Sequence, residues 1–109
     1  MAISHASSGQ VVDVVSDGSQ LSSPKTYALF KAAELEVIRL VLPVGKSFLP
    51  HSVPGEITIQ CMEGKIEFAA DGRTQILQAG QLLYLSGGIT HSLVALEDAS
   101  VLVTIVLHK

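Results

Sequence analysis

ITIQCMEGKIEFAADG, residues 57–72, is the stretch that decides the fold class. Ile57, Ile59 and Cys61 alternate with Thr58 and Gln60, and Ile66 and Phe68 alternate with Lys65 and Glu67. A side-chain period of two turns one face to a core and the other to water, which is the pattern of a strand. Glu63-Gly64 separates the two runs and Asp71-Gly72 closes the second. An Asp-Gly pair between alternating segments predicts a tight two-residue hairpin.

The same grammar extends in both directions. Residues 37–42 (VIRLVL) and 101–107 (VLVTIVL) are apolar on both faces, and the second run is mostly β-branched, which favours strand over helix. Two covered faces imply an opposing sheet on one side. On the other they imply a partner subunit or the N-terminal segment. Pro43-Val44-Gly45, Pro54-Gly55, Ala79-Gly80 and Gly87-Gly88 add turn signals at roughly ten-residue intervals. Gly45, Gly64, Gly72, Gly80 and Gly88 fall where turns need positive φ. Many short strands at this spacing make a sandwich or a barrel. Residues 27–35 have some helical flavour, although Tyr27 to Phe30 read equally well as a strand. The expectation is an all-β domain over residues 25–109, with an arm at 1–24, partly flexible, whose residues 16–24 form a turn-rich bridge.

Composition narrows the function. A chain of 109 residues that is 48% hydrophobic and 16% charged is one folded domain. The net charge is −3, and the seven Lys and Arg are scattered from Lys25 to Lys109 without a basic stripe. With no Trp either, nucleic acid and anionic membrane surfaces are poor partners. Cys61 is the single cysteine, so no internal disulfide forms. The N-terminus MAISHASSGQ lacks a basic start and apolar run, and no apolar stretch is long enough to span a bilayer. A cytoplasmic protein is the default expectation.

Two segments carry a resemblance. One runs from Gly45 through His51, Val53, Glu56 and Ile57 to Gly64. The other runs from Gly80 through Tyr84, Ser86, Gly88 and His91 to Ala95. Together, in this order and spacing, they resemble the two motifs of the cupin superfamily, over residues 37–107. The resemblance implies a cupin-type (RmlC-like) jelly-roll barrel of two packed antiparallel sheets. Family members that bind metal use two His and a Glu of the first motif and the His of the second. Here His51 and His91 stand at two of those positions, while Val53 and Ile57 stand where the family has its second His and its Glu. Ser86 replaces the second motif's Pro and Ala95 its Asn.

His51 and His91 are therefore the candidate site, and the resemblance implies that they point inward and toward each other. Zinc, nickel and iron sites want three or more protein ligands, so a divalent metal (Zn, Ni or Fe) is the less favoured cofactor. Glu56, one residue from the family's Glu position, is the candidate third ligand. Strict alternation aims it away from Ile57's face, unless Pro54-Gly55 breaks the phase. Without metal, two imidazoles in an apolar pocket can serve as acid and base. Epimerases of the superfamily resemble this case, with a His base and a Tyr acid, which makes Tyr84 a candidate donor and otherwise a core or interface aromatic. Val53, Ile57, Ile59, Leu93 and Ala95 share the inward phase, as does Cys61, whose thiol is inert unless a base or positive group lies near it. Arg39 shares the phase of Val37 and Val41. Inside the fold it needs a carboxylate or an anion, and on a solvated outer strand it needs neither.

The expected pocket thus comprises Val53, Ile57, Ile59, Cys61, Tyr84 and Leu93 around the two histidines. It favours a small apolar or aromatic molecule. The alternatives are a metal-dependent oxygenase or isomerase with a rewired site, and a structural dimerisation module with no ligand. A homodimer is expected from the two-faced apolar strands.

Overall fold

The computed structural model describes residues 7–12, 14 and 27–107, so most of the expected arm (1–24) and all of its turn-rich bridge (16–24) lie outside the described residues. Nine strands follow in order: β1 (Tyr27–Lys31), β2 (Leu35–Leu42), β3 (Ser47–His51), β4 (Ile57–Glu63), β5 (Lys65–Ala70), β6 (Arg73–Gln78), β7 (Leu82–Leu85), β8 (His91–Ala95) and β9 (Ala99–Val106). No helix occurs among the described residues, and the helical reading of 27–35 gives way to β1 and the turn after it.

The strands form a five-stranded sheet, β1-β2-β9-β4-β7, and a four-stranded sheet, β3-β8-β5-β6. Every pairing is antiparallel. Only β1–β2 and β5–β6 join neighbours in sequence, and the other pairs cross between distant segments, as a jelly roll requires. The expected barrel is not formed. Strands β1 and β7 end one sheet, β3 and β6 end the other, and no end strand pairs with another, so two open sheets lie face to face. The reason is physical. Alternation records which residues face the core, and it is the same for a sandwich and a barrel. Closure depends on whether the end strands pair, and the period of two does not encode that.

The hairpin between β5 and β6 is the one the sequence specifies. Ala70 pairs with Arg73, and Asp71 (φ 54°) and Gly72 (φ 74°) both occupy the left-handed region of a type I′ turn. All five glycines expected at positive φ adopt it.

The core has a filled end and a hollow end. Leu42 on β2, Cys61 on β4, Ile66 on β5, Ala95 on β8 and Ala99 and Val101 on β9 are at most 2% exposed and pack together. Close backbone contacts bind this end. A Cβ on Gly64 would lie 2.1 Å from the Asp98 carbonyl oxygen, so only glycine lets the two turns approach. Asp98 Oδ1 accepts the Val44 N–H at 2.8 Å. At the other end of the same strands the inward side chains leave a void.

Strand β2 is covered on both faces by this chain. Leu40 and Leu42 turn inward, and Val37, Arg39 and Val41 are buried on the opposite face. Arg39 is 3% exposed, not solvated. Its Nε donates to Ser100 Oγ at 3.2 Å, and its Nη2 lies 3.8 Å from Glu63 Oε1. The two-faced apolar pattern of this strand therefore needs no second copy to explain it.

Candidate functional site

The hollow end holds a half-open cavity of about 290 Å³. Ile38 and Leu40 of β2, Ile57 and Ile59 of β4, and Val103 and Ile105 of β9 form one wall. Phe48 and His51 of β3 and His91, Ser92 and Leu93 of β8 form the other, and Val53 enters from the loop after β3. Register assembles the first wall, since Ile57 faces Ile105 and Ile59 faces Val103 across the β4–β9 pair.

His51 and His91 are direct cross-strand partners in the β3–β8 pair. Their ring centroids are 4.5 Å apart with a 55° tilt between planes. A register shift between Phe48 and His51 marks an irregularity just before the pair. The two rings occupy different surroundings. His51 is exposed at the mouth, whereas His91 is 6% exposed and stacks on Phe68 at 5.7 Å and 20°. His91 Nδ1 lies 3.0 Å from the carbonyl oxygen of Ile89. A carbonyl only accepts, so Nδ1 carries the proton and Nε2 is the acceptor of the neutral ring.

A two-loop strap frames the mouth. Gly88 N–H donates to the Val53 carbonyl at 2.8 Å, and a Cβ on Gly87 would fall 2.1 Å from the Pro54 carbonyl oxygen. Glu56 is tied in twice: its carbonyl accepts the Val106 N–H at 2.9 Å, and its Oε2 accepts the Tyr84 hydroxyl at 2.9 Å. The strap fixes Val53 against the cavity and the 86–90 loop beneath His91.

The structure brings together His51, His91, Val53, Ile57, Ile59 and Leu93. It separates Cys61 and Tyr84 from them. Cys61 shares the phase of Ile57 and Ile59 but lies at the filled end, 0% exposed, with Sγ 3.4 Å from the Glu63 carbonyl oxygen and 3.5 Å from that of Gly64. Burial pushes its pKa up, more than the Glu63 hydrogen bond lowers it. Tyr84 is 60% exposed, pairs with Thr58 on the outward face, and also lies 3.2 Å from Ser86 Oγ. Ile38, Leu40, Phe48, Val103 and Ile105 line the cavity without having been singled out. Their apolar character was visible, but their place depends on strand pairing across 44 to 69 residues.

The side chains do not fit a metal centre. Val53 and Ile57, at two of the positions where the resemblance expects ligands, present aliphatic surface to the cavity. Glu56 is engaged by Tyr84 and is not among the lining residues. Among the described residues no group of three or more His, Cys, Asp or Glu is placed to hold a metal ion.

Two packed antiparallel sheets of jelly-roll order, with a small apolar cavity between them and a histidine pair at its mouth, define the class. A family model described as a cupin domain matches residues 38–107, and the chain belongs to that family. A conserved protein of unknown function from Streptococcus pyogenes has the same fold, at 24% identity and a TM-score of 0.77, with 100% of this chain and 99% of that one covered. An RmlC-like cupin from Desulfovibrio desulfuricans aligns at 24% identity and a TM-score of 0.71, over 94% and 97% of the two chains. KdgF from a Halomonas species aligns at 20% and 0.70, over 77% and 78%. These identities speak to fold alone. No curated protein matches the chain. No helix among the described residues is long and apolar enough to cross a membrane.

Proposed function

We propose that this cupin binds a small apolar or aromatic molecule in the cavity between its sheets, with His51 and His91 at the polar end. The observation that carries the reading is the cavity wall: among the described residues, nine aliphatic or aromatic side chains, with two histidines and Ser92 as the polar ones. A void lined this way is costly to leave to water and favourable to fill with apolar surface. Its size suits a ligand of one or two rings, since an apolar cavity of about 150 Å³ already accepts benzene. An open cavity also argues against a purely structural module.

Thermal unfolding with a panel of single-ring phenols and hydrophobic acids tests the reading. A ligand present at a hundred times its Kd should stabilise the fold by about 2.7 kcal/mol. No stabilisation by any member of the panel would remove the proposal. Metal analysis of the purified protein separates it from a metal-dependent enzyme. Two imidazoles alone hold metal weakly, so the expected content is far below one equivalent. Near-stoichiometric metal, lost in both His51→Ala and His91→Ala, would replace this reading with the enzyme.

The proposal includes a homodimer formed through the β7 end of the five-stranded sheet's outward face. Leu82 and Tyr84, each 60% exposed on the end strand β7, support it. Sedimentation equilibrium should give twice the 11.5 kDa chain mass, and a monomer would exclude the dimer.

A further inference from the structure

We infer that the cavity selects a ligand carrying a hydrogen-bond donor, a phenol-type hydroxyl, which it delivers to Nε2 of His91. The inference rests on the small-molecule reading above and adds the chemistry of the ligand's polar end. His91 reaches inward from β8 in phase with Leu93 and Ala95. Its Nδ1, near the root of the side chain, is committed to the Ile89 carbonyl at 3.0 Å. Phe68 stacks against one face of the ring at 5.7 Å, which fixes its plane. Nε2 sits at the far tip of the ring, and the one hydrogen bond of the side chain among the described residues is that of Nδ1.

With the Nδ1 proton engaged, the uncharged form of the ring offers the cavity a lone pair and no proton. Among the described residues the other polar groups on the lining are His51, exposed at the mouth, and Ser92, half-buried, both within reach of water. Among those residues the lining carries no carboxylate, lysine or arginine. A hydroxyl bound beside His91 is thus matched by an acceptor. An ether or nitrile at the same place sets its lone pair against another and gives up hydration without a donor from His91 to replace it.

Three ligands of near-equal shape test this by titration calorimetry on the full chain: 4-ethylphenol, which donates, 4-ethyltoluene, which does neither, and 4-ethylanisole, which only accepts. The phenol should bind about tenfold more tightly than the toluene, the worth of one good hydrogen bond, and the anisole no better than the toluene. His91→Phe, which keeps a ring against Phe68, should abolish the preference while retaining apolar binding. In the unmutated protein, nitrogen NMR of the His91 ring should show a protonated Nδ1 and an unprotonated Nε2 whose resonance moves on adding the phenol. Equal affinity for the three ligands, a preference for the anisole, or the opposite tautomer would overturn the inference and leave the apolar-cavity reading standing. Failure of all three to bind would overturn both.

Discussion

Cys61 shows what a single residue's period does and does not encode. Alternation placed it on the inward face with Ile57 and Ile59, and that is where it lies, yet it contributes to the filled end and not to the cavity. Phase gives a face, and distance along the strand decides between core and site. Burial makes its thiolate costly in the folded state, so the folded chain holds the thiol proton to higher pH than the unfolded chain does. Its contribution to stability is therefore complete below the ordinary thiol pKa and is lost as pH rises past about 8.5. Cys61→Ala should show a shallower fall in denaturant midpoint between pH 8 and 10 than the unsubstituted chain. The native thiol should also resist a disulfide reagent that labels it at once in urea. Tyr84 was harder to read, because LLYL is apolar throughout and hides which face its second leucine and leucine-flanked tyrosine take. Arg39 was harder still. A charge in an apolar run reads as solvated until Ser100 and Glu63, 61 and 24 positions away, are known to sit beside it.

At the scale of elements, the glycine turns separate conformational cost from steric cost. Gly72 has positive φ and open space where a Cβ would be, so Gly72→Ala should cost about 1 kcal/mol by chemical denaturation and leave ligand affinity unchanged. Gly64 adds a collision with the Asp98 backbone, and Gly64→Ala should cost about 3 kcal/mol, the heavier loss of the two in the same assay. Gly87 differs from both. Its Cβ would meet the Pro54 carbonyl, so Gly87→Ala must shift the strap that holds Val53, and ligand affinity should fall more than stability. Equal effects of Gly87→Ala and Gly72→Ala on affinity would show that the strap does not shape the cavity. The Asp-Gly hairpin was legible because its signal is local: two residues, one turn type. The strap was not, since it joins the 52–56 and 86–90 loops through a backbone contact that no residue pattern announces. The histidine pair lay between these cases. Each histidine stood out through its motif, while their 4.5 Å approach comes from the β3–β8 register.

At the scale of the molecule, the contrast between the two ends governs tolerance to substitution. Leu42→Ala at the filled end removes fully packed atoms and should cost about 3 kcal/mol. Val53→Phe at the hollow end adds volume where there is room, so it should leave stability unchanged or raised while blocking ligand, a pairing that thermal unfolding with and without ligand reads directly. Packing also varies along single strands. Strand β9 begins at Ala99, 0% exposed, passes Val103 at 7%, and ends at Val106, 40% exposed, and β2 and β4 lie alongside it throughout. Segments with fewer buried apolar contacts open at lower free energy than the whole chain unfolds. Amide hydrogens in β9 should accordingly exchange with deuterium in a graded order, those beside Ala99 and Val101 only when the entire chain unfolds and those beside Ile105 through small local openings. The same ladder of hydrogen bonds would then be a rigid anchor at one end and a yielding rim at the other, where the half-open cavity could adjust to a guest without the sandwich coming apart.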